Sequence, residues 1–134
     1  EVVGKACPLF VPLVEEGWTK DPVTEEVARR YLADLQKSEI DSLILGCTHY
    51  PLLRHMVGEI MGDKVTLVNP AYETALELKA LLEREGIAND GENKNFENPY
   101  EFFVSDLAEK FKVFANSILP CDVTSIKKIN IEEY

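Results

Sequence analysis

The stretch from Ile40 to Arg54 constrains the fold more than any other, because the chain changes period inside it. Ile40 to Leu45 is an apolar run interrupted only near its start, by Asp41 and Ser42. A mostly apolar run without alternation predicts a strand buried on both faces, as in a parallel sheet. Gly46 follows. Pro51 then fits the first turn of a helix, where a missing N–H costs nothing, and the helical pattern runs to about Met61 before Gly62-Asp63 stops it. Cys47, Thr48 and His49 therefore sit where a strand gives way to a helix. In α/β folds ligands bind outside the carboxyl ends of strands and at helix N-termini.

The neighbouring segments repeat this alternation. Residues 2 to 14 are apolar but carry Pro8 and Pro12, which argue against a central strand or a regular helix across them. A short strand end and then a loop carrying Glu15 and Glu16 are expected, continued by Gly17-Trp18 and Asp21-Pro22. From Thr24, a reasonable N-cap, Val27, Ala28, Tyr31, Leu32 and Leu35 fall on one helical face. Val65 to Val68 reads as a strand. Tyr72 to about Glu85 reads as a helix with a broad apolar face of Ala75, Leu76, Leu78, Leu81 and Leu82, stopped by Gly86. Residues 88 to 99 are polar and predict a surface loop. Tyr100 to Val104 is strand-like. Ser105 or Asp106 caps a helix to about Leu119 with Leu107, Phe111, Phe114 and Ile118 as its buried stripe. Val123 to Ile131 is a last strand or extended tail. Strands alternating with helices predict an α/β fold with a parallel sheet, in flavodoxin-like or Rossmann-like layers.

The 134 residues are 46% hydrophobic, enough for a packed core. The net charge of -10 disfavours nucleic acid or an anionic membrane as partner, because both need clustered Lys and Arg. It also means that any anion site must be local, built from backbone N–H groups and hydroxyls. No apolar run approaches the length of a membrane span. Three cysteines, Cys7, Cys47 and Cys121, form no CxxC pair, so a disulfide framework or zinc ribbon is not expected and a reducing cytoplasm fits better. With only His49 and His55 beside them, no metal site is expected. The chain opens on Glu1 without a methionine or a secretory-signal pattern, and is expected to be a piece of a longer protein.

A thiol is mostly protonated at neutral pH, but a helix N-terminus and a nearby imidazole lower its pKa and make it a usable base or nucleophile. Cys47 has both by position. Thr48 offers a hydroxyl and a backbone N–H to a carboxylate. On chemistry alone, two readings stand. Cys47 is either such a group or a small packed residue, since free cysteine is among the most buried types. His49 is likewise either an acid–base group or an ordinary packing histidine.

The string Gly46-Cys47-Thr48-His49-Tyr50-Pro51-Leu52-Leu53-Arg54 resembles the second catalytic cysteine motif of glutamate racemases, in the cofactor-independent aspartate/glutamate racemase superfamily. A second match lies upstream, at Ala6-Cys7-Pro8-Leu9-Phe10-Val11-Pro12-Leu13-Val14-Glu15. The resemblance implies two thiols flanking the substrate's α-carbon, with no pyridoxal phosphate or metal. Cys47 would be the base acting on L-glutamate and the acid when D-glutamate is consumed. His49 would help handle the proton, and Thr48 would bind the α-carboxylate. Glu15 would be the acidic residue near Cys47 and His49. A glutamate in a Glu-Glu-Gly loop is otherwise an ordinary solvated charge. Histidine at position 49, where aspartate racemases usually carry Glu, favours glutamate as substrate. Cys7, Cys121 and Trp18 are read as packing residues.

The resemblance also shows what this sequence lacks: an Asp-Ser-Gly motif and a first cysteine in an Ala-Cys-Asn-Thr-like motif, both in the family's N-terminal half. It implies the two-domain racemase fold. Residues 1–68 would be the end of its second domain, and residues 69–134 the returning part of its first. It further implies a need for the missing N-terminal half, a homodimer as is common in the family, and a role in supplying D-glutamate for peptidoglycan. The competing readings are another superfamily racemase of aspartate type and a non-catalytic binding module. A cysteine hydrolase is disfavoured, because neither a third orienting group nor an oxyanion loop is recognisable.

Overall fold

The structure is a computed structural model and describes residues 1–89, 100–106 and 108–133. Its backbone divides into two compact units, Glu1–Ala88 and Asn89–Tyr134.

The first unit contains helix α1 (Phe10–Glu15), helix α2 (Pro22–Lys37), strand β1 (Ser42–Ile44), a 3-10 turn (Tyr50–Leu53), helix α3 (Arg54–Met61), strand β2 (Thr66–Val68) and helix α4 (Pro70–Arg84). β1 and β2 pair in parallel, with Ser42, Leu43 and Ile44 opposite Thr66, Leu67 and Val68. α3 is the crossover between them. The core gathers Phe10 and Val14 of α1, Ala28, Leu32 and Leu35 of α2, and Leu53, Val57 and Ile60 around α3. The i, i+4, i+7 spacing of Ala28, Leu32 and Leu35 turns that face of α2 onto α1 and α3. Each fully buried aliphatic side chain contributes roughly 1.5–3 kcal/mol. Gln36 adds a directional tie, donating from Nε2 to the Ile60 carbonyl at 2.6 Å. Gly58 brings α3 close to β2, since a Cβ there would lie 3.4 Å from the Leu67 side chain.

The second unit is a further parallel pair, β3 (Phe102–Val104) and β4 (Ile126–Lys128), joined through helix α5 (Ala108–Ile118) and followed by a 3-10 turn (Ile131–Glu133). Val104, Ala115 and Val123 are its buried apolar residues among those described.

The α/β, parallel-strand architecture is the one the alternation predicts. Several details differ. Residues 10–15 form α1 rather than a loop, because Pro12 sits in the first helical turn, where its missing N–H would have no partner in any case. Asp21 rather than Thr24 caps α2: its carboxylate accepts from the Val23 N–H at 2.8 Å, and Pro22 opens the helix. Thr24 is instead fully buried in the first turn, its hydroxyl without a protein partner. The helix expected from Pro51 starts as a 3-10 turn and becomes α-helical only at Arg54. β1 is not buried on both faces, since Ile44 is 65% exposed while Leu45 is buried. The apolar face expected of α4 is exposed as well, and none of that helix's residues is buried. On α5, Phe111 and Ile118 are exposed, Phe114 is half-buried and Ala115 is the buried contact; Leu107 lies outside the described residues. So does most of the surface loop expected over 88 to 99. Trp18 is half-exposed, and its contribution is a backbone N–H donated to the Leu13 carbonyl that closes α1. Cys7 is buried as expected of a packing residue.

Candidate active site

The site is built where β1 ends. The Leu45 N–H donates to the Val68 carbonyl at 2.9 Å, the last ladder bond of that strand. The chain then turns sharply, with the Cys47 N–H on the Leu45 carbonyl at 2.8 Å. His49 is the cap residue of the 3-10 turn, its carbonyl accepting from the Leu52 N–H at 3.0 Å. Thiol, hydroxyl and imidazole are thereby held on consecutive residues at the carboxyl end of a parallel strand.

The contacts among them are specific. The His49 backbone N–H points at the Cys47 Sγ, 3.4 Å away. The Thr48 hydroxyl lies 2.9 Å from His49 Nδ1. On the far side of the ring, Nε2 is 3.4 Å from the Glu15 carboxylate. A carboxylate only accepts, so its position favours a proton on Nε2; a neutral ring then accepts the Thr48 proton at Nδ1. Cys47 and His49 are half-buried, while Thr48 and Glu15 face solvent. Glu15 is the last residue of α1, so the helix that the prolines concealed is what carries this carboxylate to the imidazole.

All four residues singled out in the sequence, Cys47, Thr48, His49 and Glu15, are thus drawn together within the first unit. Cys7 is not among them. It is buried, and desolvation raises its thiol pKa above the ordinary value despite the Lys5 charge nearby, which keeps it protonated. Tyr50 is a contact that sequence reasoning does not reach. Its hydroxyl donates to the Cys7 carbonyl at 3.0 Å and accepts from the Cys7 N–H at 3.3 Å. The partner lies far upstream, and no local signal announces it.

Among the described residues, no cluster of three or more His, Cys, Asp or Glu side chains could hold a metal ion. Nor is any helix there long and apolar enough to cross a membrane. An open cleft of about 770 Å³ is lined by residues of α3 and β2, including Arg54, His55, Glu59 and Leu67, but by none of the four site residues.

No protein-family model matches the sequence. Similar proteins are numerous. The chain is 41% identical to the glutamate racemase of Geobacter metallireducens over 98% of its own length and 48% of that protein. It is 42% identical to glutamate racemase 2 of Caldanaerobacter subterraneus over its full length and 49% of that protein. Among solved structures, glutamate racemase from Francisella tularensis in complex with D-glutamate superposes with a TM-score of 0.84 at 30% identity, over all of this chain and 49% of that one. The Thermus thermophilus glutamate racemase in complex with β-chloro-D-alanine gives 0.80 at 40% identity, over 97% and 48%. The chain spans about half the length of the relatives it matches, and across its own length it is a homologue of glutamate racemases.

Proposed function

We propose that this chain carries one acid–base arm of a cofactor-independent glutamate racemase. The observation that supports it most is the convergence of Cys47, Thr48, His49 and Glu15 at the end of β1, in a chain homologous along its length to glutamate racemases. In this reading the Cys47 thiolate takes the α-proton of L-glutamate, leaving a planar carbanion. An acid on the opposite face returns a proton and D-glutamate results. In the reverse direction Cys47 is the acid, as microscopic reversibility requires. The His49 backbone N–H points at its sulfur. The imidazole, aligned by Glu15, passes the proton on. The exposed Thr48 hydroxyl and N–H are free to meet the substrate's α-carboxylate once Thr48 rotates from His49.

The second acid must come from elsewhere. Cys7 is buried, and Cys121 stands in no motif like that around Cys47. The missing half of a racemase-length protein, with its own cysteine and Asp-Ser-Gly motif, would supply it. The chain alone is therefore proposed to be inactive as a racemase. The intact protein would act in the cytoplasm, as a homodimer, supplying D-glutamate for peptidoglycan and so for cell-wall construction and cell shape.

The test is to incubate the chain with L-glutamate in heavy water and follow the α-proton by NMR, with Cys47→Ser as control. Loss of the α-proton without D-glutamate, abolished in Cys47→Ser, is the expected signature of a one-face base. Net racemisation by the chain alone, abolished in Cys47→Ser, would overturn the one-armed reading. Equal exchange in both proteins would remove Cys47 from the chemistry.

A further inference from the structure

We infer that Tyr50 is a positioning residue of this site: its hydroxyl and ring lock the turn of Cys47, Thr48 and His49 against α1 and so keep Glu15 on His49. The inference rests on the proton-handling role proposed above for Cys47, His49 and Glu15.

The Glu15–His49 contact cannot hold itself in place. The Glu15 side chain is 61% exposed, and exposed ion pairs are too weak to organise backbone. Something else must set the distance between the end of α1 and the Cys47 turn. Tyr50, adjacent to His49, is attached at two points. Its hydroxyl spends both donor and acceptor on the backbone of Cys7, a residue only 4% exposed. Its ring meets Phe10 edge-on, with centroids 5.3 Å apart and planes at 87°. Phe10 is the first residue of α1 and is itself 2% exposed. Tyr31 of α2 also meets Phe10 edge-on, at 5.5 Å, and its hydroxyl accepts from the Leu9 N–H at 3.3 Å. A three-ring stack therefore fixes the N-terminal end of α1 between α2 and the turn. Glu15 is at the other end of the same short helix, about 7.5 Å away along a stiff backbone. Fixing Phe10 fixes Glu15.

A merely stabilising tyrosine would affect Cys47 independently of Glu15, whereas a positioning tyrosine acts through it. The rate of Cys47 alkylation by iodoacetamide, located by peptide mass mapping and followed across pH, separates the two in a double-mutant cycle on the full chain. Glu15→Gln is expected to change the rate by roughly threefold to tenfold. Tyr50→Phe, which keeps the ring and removes the hydroxyl, is expected to change it in the same direction by a comparable factor. The double variant is expected to match either single one. Effects that multiply independently overturn the inference, as does an unchanged rate in Tyr50→Phe when Glu15→Gln alters it. An unchanged rate in Glu15→Gln overturns both the inference and the role of Glu15, while heavy-water exchange still reports separately on Cys47. Should Tyr50→Phe lose its far-UV circular dichroism, Phe10→Leu decides by the same cycle, since it removes the ring contact and leaves the hydroxyl.

Discussion

Helices α2 and α4 begin alike and end in opposite circumstances. Each opens on an Asx residue followed by proline, with Asp21 accepting from the Val23 N–H and Asn69 from those of Ala71 and Tyr72. Each has a glutamate in its first turn, Glu25 or Glu73, and a basic residue in its last, Lys37 or Arg84, matched to the helix dipole. Yet α2 buries Thr24, Ala28, Leu32 and Leu35, and α4 buries nothing. Leu76 and Leu78, although apolar, are 47% and 52% exposed. Capping and dipole signals specify that a helix forms. Whether its apolar face has anything to meet is a separate matter, decided by the rest of the fold.

That contrast can be broken by stability measurements. The largest expected effect is in α2: Leu32→Ala should cost about 3 kcal/mol in denaturant unfolding, the usual range for a truncated core leucine. Leu76→Ala in α4 should stay within about 0.5 kcal/mol, as for other exposed positions. A cost above about 1.5 kcal/mol at Leu76 would show that its face is covered in solution and that the two helices are not different after all.

Removing the caps sharpens the comparison. Asp21→Ala should lower global stability by about 1 kcal/mol, because α2 is part of the core. Asn69→Ala should remove a similar amount of local helix stability, but it should be read as faster amide exchange in the first turns of α4 with little change in the global transition. Equal loss of global stability in both variants would mean that α4 is cooperative with the core.

The smallest effect is in pH. Burial raises Cys7 above its ordinary 9.0 and, as the largest cause, Tyr50 above its ordinary 10.0. For an acid whose folded pKa is raised, the unfolded chain loses its proton first. The stability tied to the neutral form is complete below the unfolded pKa and falls as pH climbs through the folded one. Unit-one stability should therefore decline above about pH 9 and again above about pH 10. Cys7→Ala should flatten the first step and Tyr50→Phe the second. The helical content of α4 should follow neither.

The Cys47 turn was legible because its signals are local: an apolar run, a glycine, then a proline that can only open a helix. Gly86 marks the end of α4 for the same reason and takes a positive φ of 68° there, whereas the start expected at Tyr72 lies at Pro70, with Asn69 as its cap. Glu15 was legible only through resemblance. Its place beside His49 depends on α1, and Pro8 and Pro12 hid that helix from a reading that weighed proline without its position in the turn. The exposure of Ile44 was hidden for a different reason. A run of apolar residues reports what a strand prefers, not how many layers the chain supplies to cover it, and the described sheet of this unit has two strands. Tyr50 was hidden because hydrogen bonds between distant segments leave no periodicity behind.

The register of β1 and β2 has a geometric consequence. Parallel strands finish side by side, so the bond from the Leu45 N–H to the Val68 carbonyl joins two chain exits. One leads through Gly46 to the thiol. The other leads through Asn69 directly into α4. The helix and the thiol-bearing turn therefore leave the sheet from neighbouring strand ends, one hydrogen bond apart.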